Sequence, residues 1–407
     1  MRELRRLVVV EQDIHHRHAG RLWAYGPYVR EIDVWADLFG EVVIAAPCRD
    51  EPPPADYLPF SRPNISIRPQ KQTGGLTLAA KLRQVLAVPG HVYRLSRALS
   101  EADAVHVRCP GNLGLLGVLL APVFARPLVA KYAGQWCGFA DEPWSWRLQR
   151  AVLRSRWWRG PVTVYGRWPG QPAHVVPFFT SILSSDQVAR ARAAASDPKF
   201  ADGMRVLYVG RLSEAKNVDV LLSAVASLPA DVGPVRCRVV GEGPEREALA
   251  ALAGTLGIAD RVEFTGGVEF ARVLEYYEEA DVLVLASQCE GWPKAIAEGM
   301  AFGLVCIGSN VGFVPEMLGE GRGLLVPPRD VAALGAALRT AARSPEQRES
   351  MRRRAAVWAQ RFSLEGLRDA LTDLFAAHWE SWGGPPRAAD RAGEPQARAV
   401  AQCGAAS

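Results

Sequence analysis

Two glutamates and two cations stand beyond the ends of apolar runs in the second half of the chain. Glu290 and Glu298 are eight residues apart, and Arg211 and Lys216 follow the run 206–209. A carboxylate offers two acceptor oxygens and binds vicinal hydroxyls well, whereas Arg and Lys bind phosphate. The pattern therefore indicates a ligand that carries both sugar hydroxyls and a diphosphate. The alternative interpretation is a set of solvated loops with salt-bridged side chains.

Glycine-rich turns accompany these side chains. Gly210 precedes Arg211, and Gly241 and Gly243 stand in a Gly-Glu-Gly-Pro turn after the run 237–240. Because glycine lets a backbone approach a ligand closely, we expect these turns to line the site, with a plain tight turn as the alternative. Between the glutamates, a turn and a helix start that would favour an anion are predicted at Gly291, Trp292, Pro293 and Lys294.

Short apolar runs must position these turns. They alternate with amphipathic segments such as 219–227, 245–255 and 331–342. This alternation is typical of parallel sheets that are covered by helices on both faces. Ligands bind such sheets beyond the carboxyl ends of the strands. The predicted strands are residues 7–10, 42–46, 104–107, 128–130, 206–209, 237–240, 262–264, 282–285 and 305–307.

The strand–helix pattern occurs twice, which predicts an α/β protein with two doubly wound, Rossmann-like domains facing a cleft. A stretch rich in Ala, Ser, Asp and Arg separates the two patterns at 184–203. We predict domains at 1–183 and 184–360, and a last helix at 361–380 that crosses back to the first domain. The tail 381–407 is rich in Ala, Gly and Pro and is predicted to be disordered.

Composition excludes several classes of protein. The chain has 407 residues, 22% of them charged, and a net charge of +5. That charge is far from that of a dedicated nucleic-acid binder, so no nucleic-acid partner is expected. The seven cysteines form no C-x-x-C pair, so neither a disulfide framework nor structural zinc is expected, and a reducing cytoplasm fits. The longest apolar stretch, about 113–125, is too short to span a membrane.

Taken in order, the motifs at the ends of these runs resemble those of the retaining glycosyltransferases of family 4, which have the two-domain GT-B fold. The resemblance covers about residues 203–375. It rests on Gly210-Arg211-Leu212 with Lys216-Asn217, Val239-Val240-Gly241-Glu242-Gly243-Pro244, Val262-Glu263-Phe264-Thr265-Gly266, Glu290 to Glu298 with Gly299-Met300-Ala301, Val311-Gly312-Phe313-Val314-Pro315-Glu316, Gly323-Leu324-Leu325-Val326 and Arg361-Phe362-Ser363.

The resemblance implies an enzyme of the hexosyltransferase class. It would move a hexose or N-acetylhexosamine from a nucleotide-diphosphate sugar, UDP in preference to GDP, to a glycan or lipid-linked saccharide with retention. No cofactor and no metal are expected, and the second domain has no D-x-D motif. Three alternatives stay open: transfer to a small-molecule acceptor, a sugar-nucleotide epimerase of the same fold, and a non-catalytic binding partner.

The family's motifs assign roles in the second domain, which would bind the nucleotide sugar. Glu290 and Glu298 resemble its E-x7-E pair, so that Glu290 would contact the donor sugar and Glu298 the ribose. Arg211 and Lys216 would bind the diphosphate and, with Glu290, are the predicted catalytic residues. The other predicted donor contacts are Gly210, Gly241, Gly243, Gly291, Trp292, Pro293, Lys294 and, for the base, Phe264, Thr265 and Gly266.

The first domain would bind the acceptor, and here the match to the family is loose. Ala133 stands where many members have a histidine, and Lys131 is a candidate substitute. The histidines after the first strand are expected to line the cleft, with a solvated loop or a metal site as alternatives. For His106, the alternative is a buried, hydrogen-bonded core histidine. The predicted acceptor contacts are His15, His16, His18, Gly20, His106, Arg108 and Lys131.

The segment 144–159 combines four tryptophans with five arginines. Arg147, Arg150 and Arg154 share one face of a predicted helix. Basic residues with tryptophan are typical of interfacial helices, which anionic lipid attracts. One interpretation is therefore peripheral contact with the inner face of a membrane. The other is an ordinary covering helix with its tryptophans in the core.

Overall fold

The computed structural model describes residues 5–72, 78–124, 127–139, 142–181, 183–197, 199–200, 203–380 and 382–385. The strands are β1 (Arg6–Val10), β2 (His15–His18), β3 (Arg21–Tyr25), β4 (Glu41–Arg49), β5 (Tyr57–Pro59), β6 (Ile65–Gln70), β7 (Ala104–Cys109), β8 (Leu128–Tyr132), β9 (Val162–Tyr165), β10 (Val175–Phe178), β11 (Met204–Val209), β12 (Val235–Val240), β13 (Val262–Gly266), β14 (Val282–Leu285), β15 (Val305–Ser309) and β16 (Leu324–Val326).

The helices cover the sheets and link their strands. They are α1 (Gly26–Ala36), α2 (Leu78–Ser100), α3 (Asn112–Phe124), α4 (Trp144–Arg154), α5 (Ser185–Ala195), α6 (Val218–Ala226), α7 (Arg246–Thr255), α8 (Phe270–Glu279), α9 (Lys294–Ala301), α10 (Val314–Leu318), α11 (Val331–Arg343), α12 (Pro345–Ala359) and α13 (Leu364–His378).

The first sheet has the order β10-β9-β8-β7-β1-β4-β2-β3-β5, and β6 also pairs with β4. Its strands pair in parallel, except where β3 runs antiparallel to β2 and β5. His15 and His16 of β2 pair with Cys48 and Arg49 at the end of β4. The β2–β3 hairpin therefore extends this sheet beyond its carboxyl edge, toward the region where ligands bind.

Alternation along β1 sends apolar side chains into two separate cores, because successive residues of a strand point to opposite faces. Val8 and Val10 pack in the core formed with α2, α3 and α4, whereas Leu7 and Val9 pack in the core formed with α1 and α13. The first sheet is thus buried on both faces, as the continuous apolar run of β1 predicts.

The second sheet is parallel throughout, in the order β13-β12-β11-β14-β15-β16. From β11 the chain moves outward to β12 and β13, and it then returns to the other side of β11 with β14. This reversal creates a switch point between β11 and β14. In an open parallel sheet, the crevice at the switch point is where a ligand binds.

The predicted α/β fold with two parallel-sheet domains is confirmed, and each predicted strand lies within an observed one. Seven strands of the described residues were not predicted: β2, β3, β5, β6, β9, β10 and β16. Of these, β2, β3 and β5 lie toward one edge of the first sheet, and β2 has the polar sequence His-His-Arg-His, which carries no apolar run.

The end of the described chain returns to the first domain. Helix α12 packs on α9 of the second domain, and α13 packs on α1 of the first. The Nε1 of Trp379 donates a hydrogen bond of 3.1 Å to the Leu128 carbonyl in β8. The prediction of a disordered tail from 381 is corrected at Trp382, whose ring packs against those of Phe39, Phe375 and Trp379. Residues 386–407, also predicted to be disordered, lie outside the described residues.

Candidate functional site

Two loops meet at the switch point of the second sheet and carry the predicted cations and the first glutamate. The ammonium of Lys216 donates to Oε1 of Glu290 at 2.6 Å, so the pair predicted to share a ligand is in direct contact. Lys216 ends a short 3₁₀ turn after β11, and Glu290 follows β14. The sequence therefore placed both residues correctly at one carboxyl edge.

Asn217 holds these two loops together. It is buried, and its Nδ2 donates to the Ala286 carbonyl at 2.7 Å while its Oδ1 accepts from Nε2 of Gln288 at 2.9 Å. Its backbone lies in the left-handed region, with φ +48°. Asn tolerates this conformation better than most residues, so the residue type fits both the turn and the link.

Arg211 is the exposed cation of the same loop. Among the described residues, no hydrogen bond or ion pair engages its guanidinium, whereas the neighbouring Lys216 is paired. Tyr208 fixes the backbone at this point, because its hydroxyl donates to the Arg211 carbonyl at 2.9 Å. A free, forked cation on a fixed backbone suits bidentate binding of phosphate.

The glycines pack the loops of this edge against one another, and all three are half-buried, so that Gly210, Gly241 and Gly243 stay predicted donor contacts. A Cβ at Gly241 or Gly243 would lie inside van der Waals contact with the carbonyl oxygen of Gly210 or Leu212. Backbone hydrogen bonds join the same loops, from the Gly210 amide to the Val240 carbonyl, from Leu212 to Glu242 and from Gly241 to Gly266.

The predicted base contacts lie at the next strand. Phe264 and Thr265 are half-buried in β13, an end strand of the second sheet. Gly266 is buried with φ +76°, and a Cβ there would meet the carboxylate of Glu242. This segment lies beside the Gly241 turn through the hydrogen bond between their backbones, so its predicted place in the site is consistent with the geometry.

Glu298 is buried on α9, and Glu290 lies eight residues earlier, in the loop that precedes this helix. Its Oε2 accepts a hydrogen bond of 2.8 Å from the hydroxyl of Tyr277 on α8. Burial raises the pKa of Glu298 to about 7, against the opposing effects of Tyr277, Lys294 and Arg30. Its carboxyl is therefore close to half-ionised at neutral pH, and a ligand that donates hydrogen bonds would favour the ionised form.

Lys294 is the first residue of α9, and it directly follows the buried Pro293. Burial lowers the pKa of Lys294. Among the described residues, its ammonium has no carboxylate within ion-pair distance, although those of Glu31, Glu298 and Glu290 favour its charge. The start of α9 thus combines a positive helix terminus with a cation.

The side chain of Trp292 is not a donor contact, which corrects the prediction. It is buried among aromatic rings of both domains, with ring centroids 5.2 Å from Phe313 and from Phe362 and 5.8 Å from Tyr165. The neighbouring Gly291 packs closely against the first domain, because a Cβ there would collide with the Ala133 carbonyl. This segment therefore forms the junction between the domains.

A buried ion network lies under the first domain's side of the cleft. Nε of Arg108 is 2.5 Å from Glu11, and its NH1 donates to Oε1 of Glu31 at 3.0 Å. Lys131 donates to the same oxygen of Glu31 at 2.7 Å, and Thr180 donates to the other oxygen at 3.3 Å. Burial opposes the charge of Glu31, but Lys131 and Arg108 hold its pKa well below the usual range.

Arg108 and Lys131 were predicted to contact the acceptor, and this prediction is corrected. Their side chains stabilise the wall of the cleft through Glu31. Both are buried to about nine-tenths or more of their side chains, and both bind Glu31. Burial, opposed by Glu31, lowers the pKa of Lys131 to about 8. Glu31 lies in the middle of α1 and is 77 and 100 residues from its partners, so no local pattern indicates this network.

His106 lies in the core, which also corrects its assignment as an acceptor contact. Its ring stacks on that of Trp35, with centroids 4.0 Å apart and planes at 10°. Among the described residues neither ring nitrogen has a hydrogen-bond partner. The alternative prediction of a hydrogen-bonded core histidine is therefore correct for the burial of His106 but wrong for its hydrogen bonds. Burial lowers the pKa of His106 well below its ordinary value, which keeps the ring neutral.

The histidine cluster divides between core and surface. His15 is buried, with Tyr28 and Phe60 beside its ring, and His16 is buried beside Tyr57. Both are corrected from acceptor contacts to packing residues. His18 and Gly20 are exposed at the end of the β2–β3 hairpin and stay predicted acceptor contacts. Across the described residues, no cluster of His, Cys, Asp or Glu is suited to hold a metal ion.

Three residues at the cleft were not predicted to be site residues. Asp13 follows β1, and the carboxylate of Glu11, with burial, raises its pKa to about 6. Arg30 of α1 reaches across to the second domain, where its guanidinium lies 4.3 Å from the ring centroid of Phe270. Tyr25, at the end of β3, lies within electrostatic range of both Glu298 and Arg211. None of them belongs to a motif with fixed spacing.

Solved structures show that this architecture is the GT-B fold. The sucrose-phosphate synthase of Thermosynechococcus elongatus superposes with a TM-score of 0.69 and 23% identity, covering 92% of this chain and 98% of that one. The Anabaena protein HepE, solved with UDP and glucose, gives a TM-score of 0.66 and 17% identity, covering 91% and 99%. At these identities the likeness establishes the fold.

The sequence comparison points to the second domain. Residues 190–358 match the family model of glycosyl transferases group 1. A D-inositol 3-phosphate glycosyltransferase of Streptomyces avermitilis is 34% identical over 203 residues, which are 47% of this chain and 43% of that protein. The alpha-D-kanosaminyltransferase of Streptomyces kanamyceticus is 28% identical over 211 residues, which are 51% of this chain and 55% of that protein. The chain spans about half the length of these curated relatives.

Proposed function

We propose that the chain is a retaining glycosyltransferase that moves a hexose or N-acetylhexosamine from a UDP-sugar to a glycan or lipid-linked saccharide, without a metal ion. The Lys216–Glu290 ion pair at the switch point, with the free guanidinium of Arg211 in the same loop, carries this proposal. Two cations beside a carboxylate suit a ligand that has a diphosphate next to a sugar hydroxyl.

Three positive charges would stabilise the leaving diphosphate. Arg211 and Lys216 lie in the loop after β11, and Lys294 lies at the start of α9, where no carboxylate of the described residues is within ion-pair distance. Negative charge develops on the diphosphate as the bond to the sugar breaks, and fixed cations lower the barrier for that step. These side chains would supply the stabilisation that a divalent cation supplies in other enzymes, which supports the metal-independent proposal.

Glu290 would orient the donor sugar. Lys216 holds one of its carboxylate oxygens, so the other can accept a hydrogen bond from a sugar hydroxyl. The acceptor hydroxyl would then attack the anomeric carbon from the face that the diphosphate leaves. A new carbon–oxygen bond forms as the bond to the diphosphate breaks, and the acceptor proton passes to the departing phosphate oxygen. Glu298 would accept hydrogen bonds from the ribose hydroxyls.

The curated relatives favour a second candidate, which is transfer to a small polar acceptor. They are named for inositol 3-phosphate and for the transfer of kanosamine. The exposed His18 and Gly20 on the hairpin, and Asp13 after β1, offer polar groups for either kind of acceptor. An epimerase of the same fold would give a different product and would need no acceptor. A non-catalytic partner would form no product.

A thermal-shift panel of nucleotide sugars in the presence of EDTA tests the donor site. A ligand at 100 times its Kd stabilises a protein by about 2.7 kcal/mol, which is readily measured. We expect one UDP-sugar to raise the Tm and EDTA to have no effect. The Tm shift should be lost in the variant that combines Arg211→Ala with Lys216→Ala, because the diphosphate loses both cations.

The control is Arg236→Ala, which removes an exposed cation at the beginning of β12, the opposite edge of the sheet. It should keep the full Tm shift. Glu290→Ala should still bind the nucleotide but lose transfer to a mixture of saccharide acceptors, measured as release of UDP. A panel in which no nucleotide sugar raises the Tm would contradict the proposal.

A further inference from the structure

We infer that the outer surface of α2, α3 and α4 docks the protein on an anionic phospholipid bilayer. This deepens the proposed function, on which it rests for the idea that the acceptor is lipid-linked. The surface lies on the first domain, on the side of the first sheet opposite α1 and α13. It includes the segment of Trp and Arg residues at 144–159 but extends well beyond it.

Large apolar side chains are concentrated on this surface. Trp144 is 73% exposed and Leu86 is 72% exposed, although residues of these types are ordinarily buried. Scattered exposed apolar residues are normal, but a group of them on packed neighbouring helices marks an interaction surface. The exposed members are Val85, Leu86, Val88 and Tyr93 on α2, Leu119, Val123 and Phe124 on α3, and Trp144 and Leu148 on α4, with Trp157 after it.

The three helices form one continuous layer. Helix α3 packs against α2 on one side and against α4 on the other. The Nε1 of Trp157 donates a hydrogen bond of 3.2 Å to the Val118 carbonyl, which places this exposed ring beside α3. The apolar side chains therefore belong to one surface and do not form three separate patches.

The charge of this layer has a single sign. The sequences of α2, α3 and α4, and the segment that follows α4 to 159, contain no Asp and no Glu. The same segments carry exposed arginines instead, whereas the whole chain has nearly as many acidic residues as basic ones. They are Arg83, Arg94, Arg97, Arg147, Arg154, Arg156 and Arg159.

This combination selects one kind of partner. Anionic lipid headgroups attract arginines, and Leu, Val and Trp side chains can enter the boundary between headgroups and acyl chains. A second copy of the same surface would bring arginines against arginines without acidic partners. Among the described helices, none is both long and apolar enough to cross a bilayer. The docking inferred here is therefore contact with the bilayer surface.

The surface adjoins the cleft. Helices α3 and α4 follow β7 and β8, so each begins at the carboxyl edge of the first sheet, where the cleft lies. The strongly exposed Trp144 is the first residue of α4. A bilayer bound to this layer would thus meet the rim of the cleft and could present a lipid-linked acceptor to it.

The test is co-sedimentation of the full chain with vesicles. We expect binding to vesicles of phosphatidylglycerol and phosphatidylcholine, a loss of that binding at high salt, and little binding to phosphatidylcholine alone. Arg147→Gln combined with Arg154→Gln should weaken the binding by about thirtyfold, since each basic residue near an anionic surface contributes on the order of fivefold. Leu86→Ser with Val123→Ser should also weaken binding to the anionic vesicles.

Matched controls come from the second domain. Val357 is 71% exposed, and the side chain of Arg353 is 72% exposed, both on α12. Val357→Ser and Arg353→Gln should leave vesicle binding unchanged. Equal binding of the surface variants and these controls would overturn the inference, as would an absence of binding to anionic vesicles. A dimer that the surface variants abolish, measured by light scattering without lipid, would also overturn it.

The vesicle-binding test and the test of the proposed function can fail independently of each other. The Tm shift by a soluble UDP-sugar does not depend on lipid, so it reports on the donor site alone. The surface variants should keep their Tm and their shift with donor. Vesicle binding without any donor shift would contradict the enzyme but not the surface, and a donor shift without vesicle binding would contradict the surface but not the enzyme.

Discussion

Glu298 links the proton concentration to the binding of the donor. Its pKa is raised to about 7 by burial, whereas ribose hydroxyls would donate to the ionised carboxylate. Below pH 7 the carboxyl must first lose its proton. We therefore expect donor affinity to fall about tenfold from pH 8 to pH 6, measured by calorimetry, and donor binding to release a proton in this range. Glu298→Gln should bind the donor more weakly, with an affinity independent of pH.

The stability of the free protein should follow the opposite trend. A carboxyl whose pKa is higher in the folded state than in the unfolded state contributes stability below its unfolded pKa of about 4.5 and loses it as pH rises through about 7. This contribution is on the order of 3 kcal/mol. Denaturant unfolding should show the trend in the wild type and in Glu346→Gln, an exposed carboxylate on α12, but not in Glu298→Gln. Identical pH profiles for the three proteins would contradict this role of Glu298.

At the scale of elements, the loops after β11, β12 and β13 behave as one unit, because glycines let their backbones touch. Gly243→Ala would push a Cβ into the Leu212 carbonyl and break the hydrogen bond from the Leu212 amide to Glu242. We expect a loss of stability of about 1–3 kcal/mol, typical of overpacking, together with weaker donor binding as Arg211 moves. Denaturant unfolding and calorimetry measure the two effects.

Gly254 in α7 provides a control of opposite sign. A Cβ there meets no atom within 4 Å, so Gly254→Ala should stabilise the protein by up to about 1 kcal/mol through helix propensity and leave donor affinity unchanged. If Gly243→Ala behaves like Gly254→Ala, with no loss of stability or of donor affinity, the loops are not packed as a unit.

The elements also show what sequence can and cannot predict. The central strands were found because each is a short apolar run, and the cations and glutamates were found because they follow such runs. Burial of His15 and His106 was not predictable, because it depends on Phe60 and Trp35, which are distant in sequence. The same holds for Glu31, whose partners come from other strands of the sheet. Local motifs therefore predict where the second domain's cations and glutamates lie, whereas long-range contacts position the buried polar residues of the first domain.

At the scale of the whole molecule, the domains meet on both sides of the cleft. The ring of Trp292 joins those of Tyr165 and Phe179 from the first domain at one side. Arg30 lies over Phe270 at the other, and its charge favours ionisation of Glu298. We therefore expect closure of the cleft and ionisation of Glu298, the carboxyl proposed to bind the ribose, to be coupled through Arg30.

Arg30 should accordingly affect both domain closure and the pH dependence of donor binding. Arg30→Ala removes a cation–π contact that contributes about 0.5–2 kcal/mol, so donor affinity should fall by roughly twofold to thirtyfold and X-ray scattering should show a more open molecule. It also removes a charge that lowers the pKa of Glu298, so the pH midpoint of donor binding should rise. Arg30→Lys keeps the charge but not the planar stack, so it should weaken binding without moving the midpoint. Arg368→Ala, exposed on α13, should change neither quantity. An unchanged midpoint in Arg30→Ala would show that the two domains close independently of the proton on Glu298.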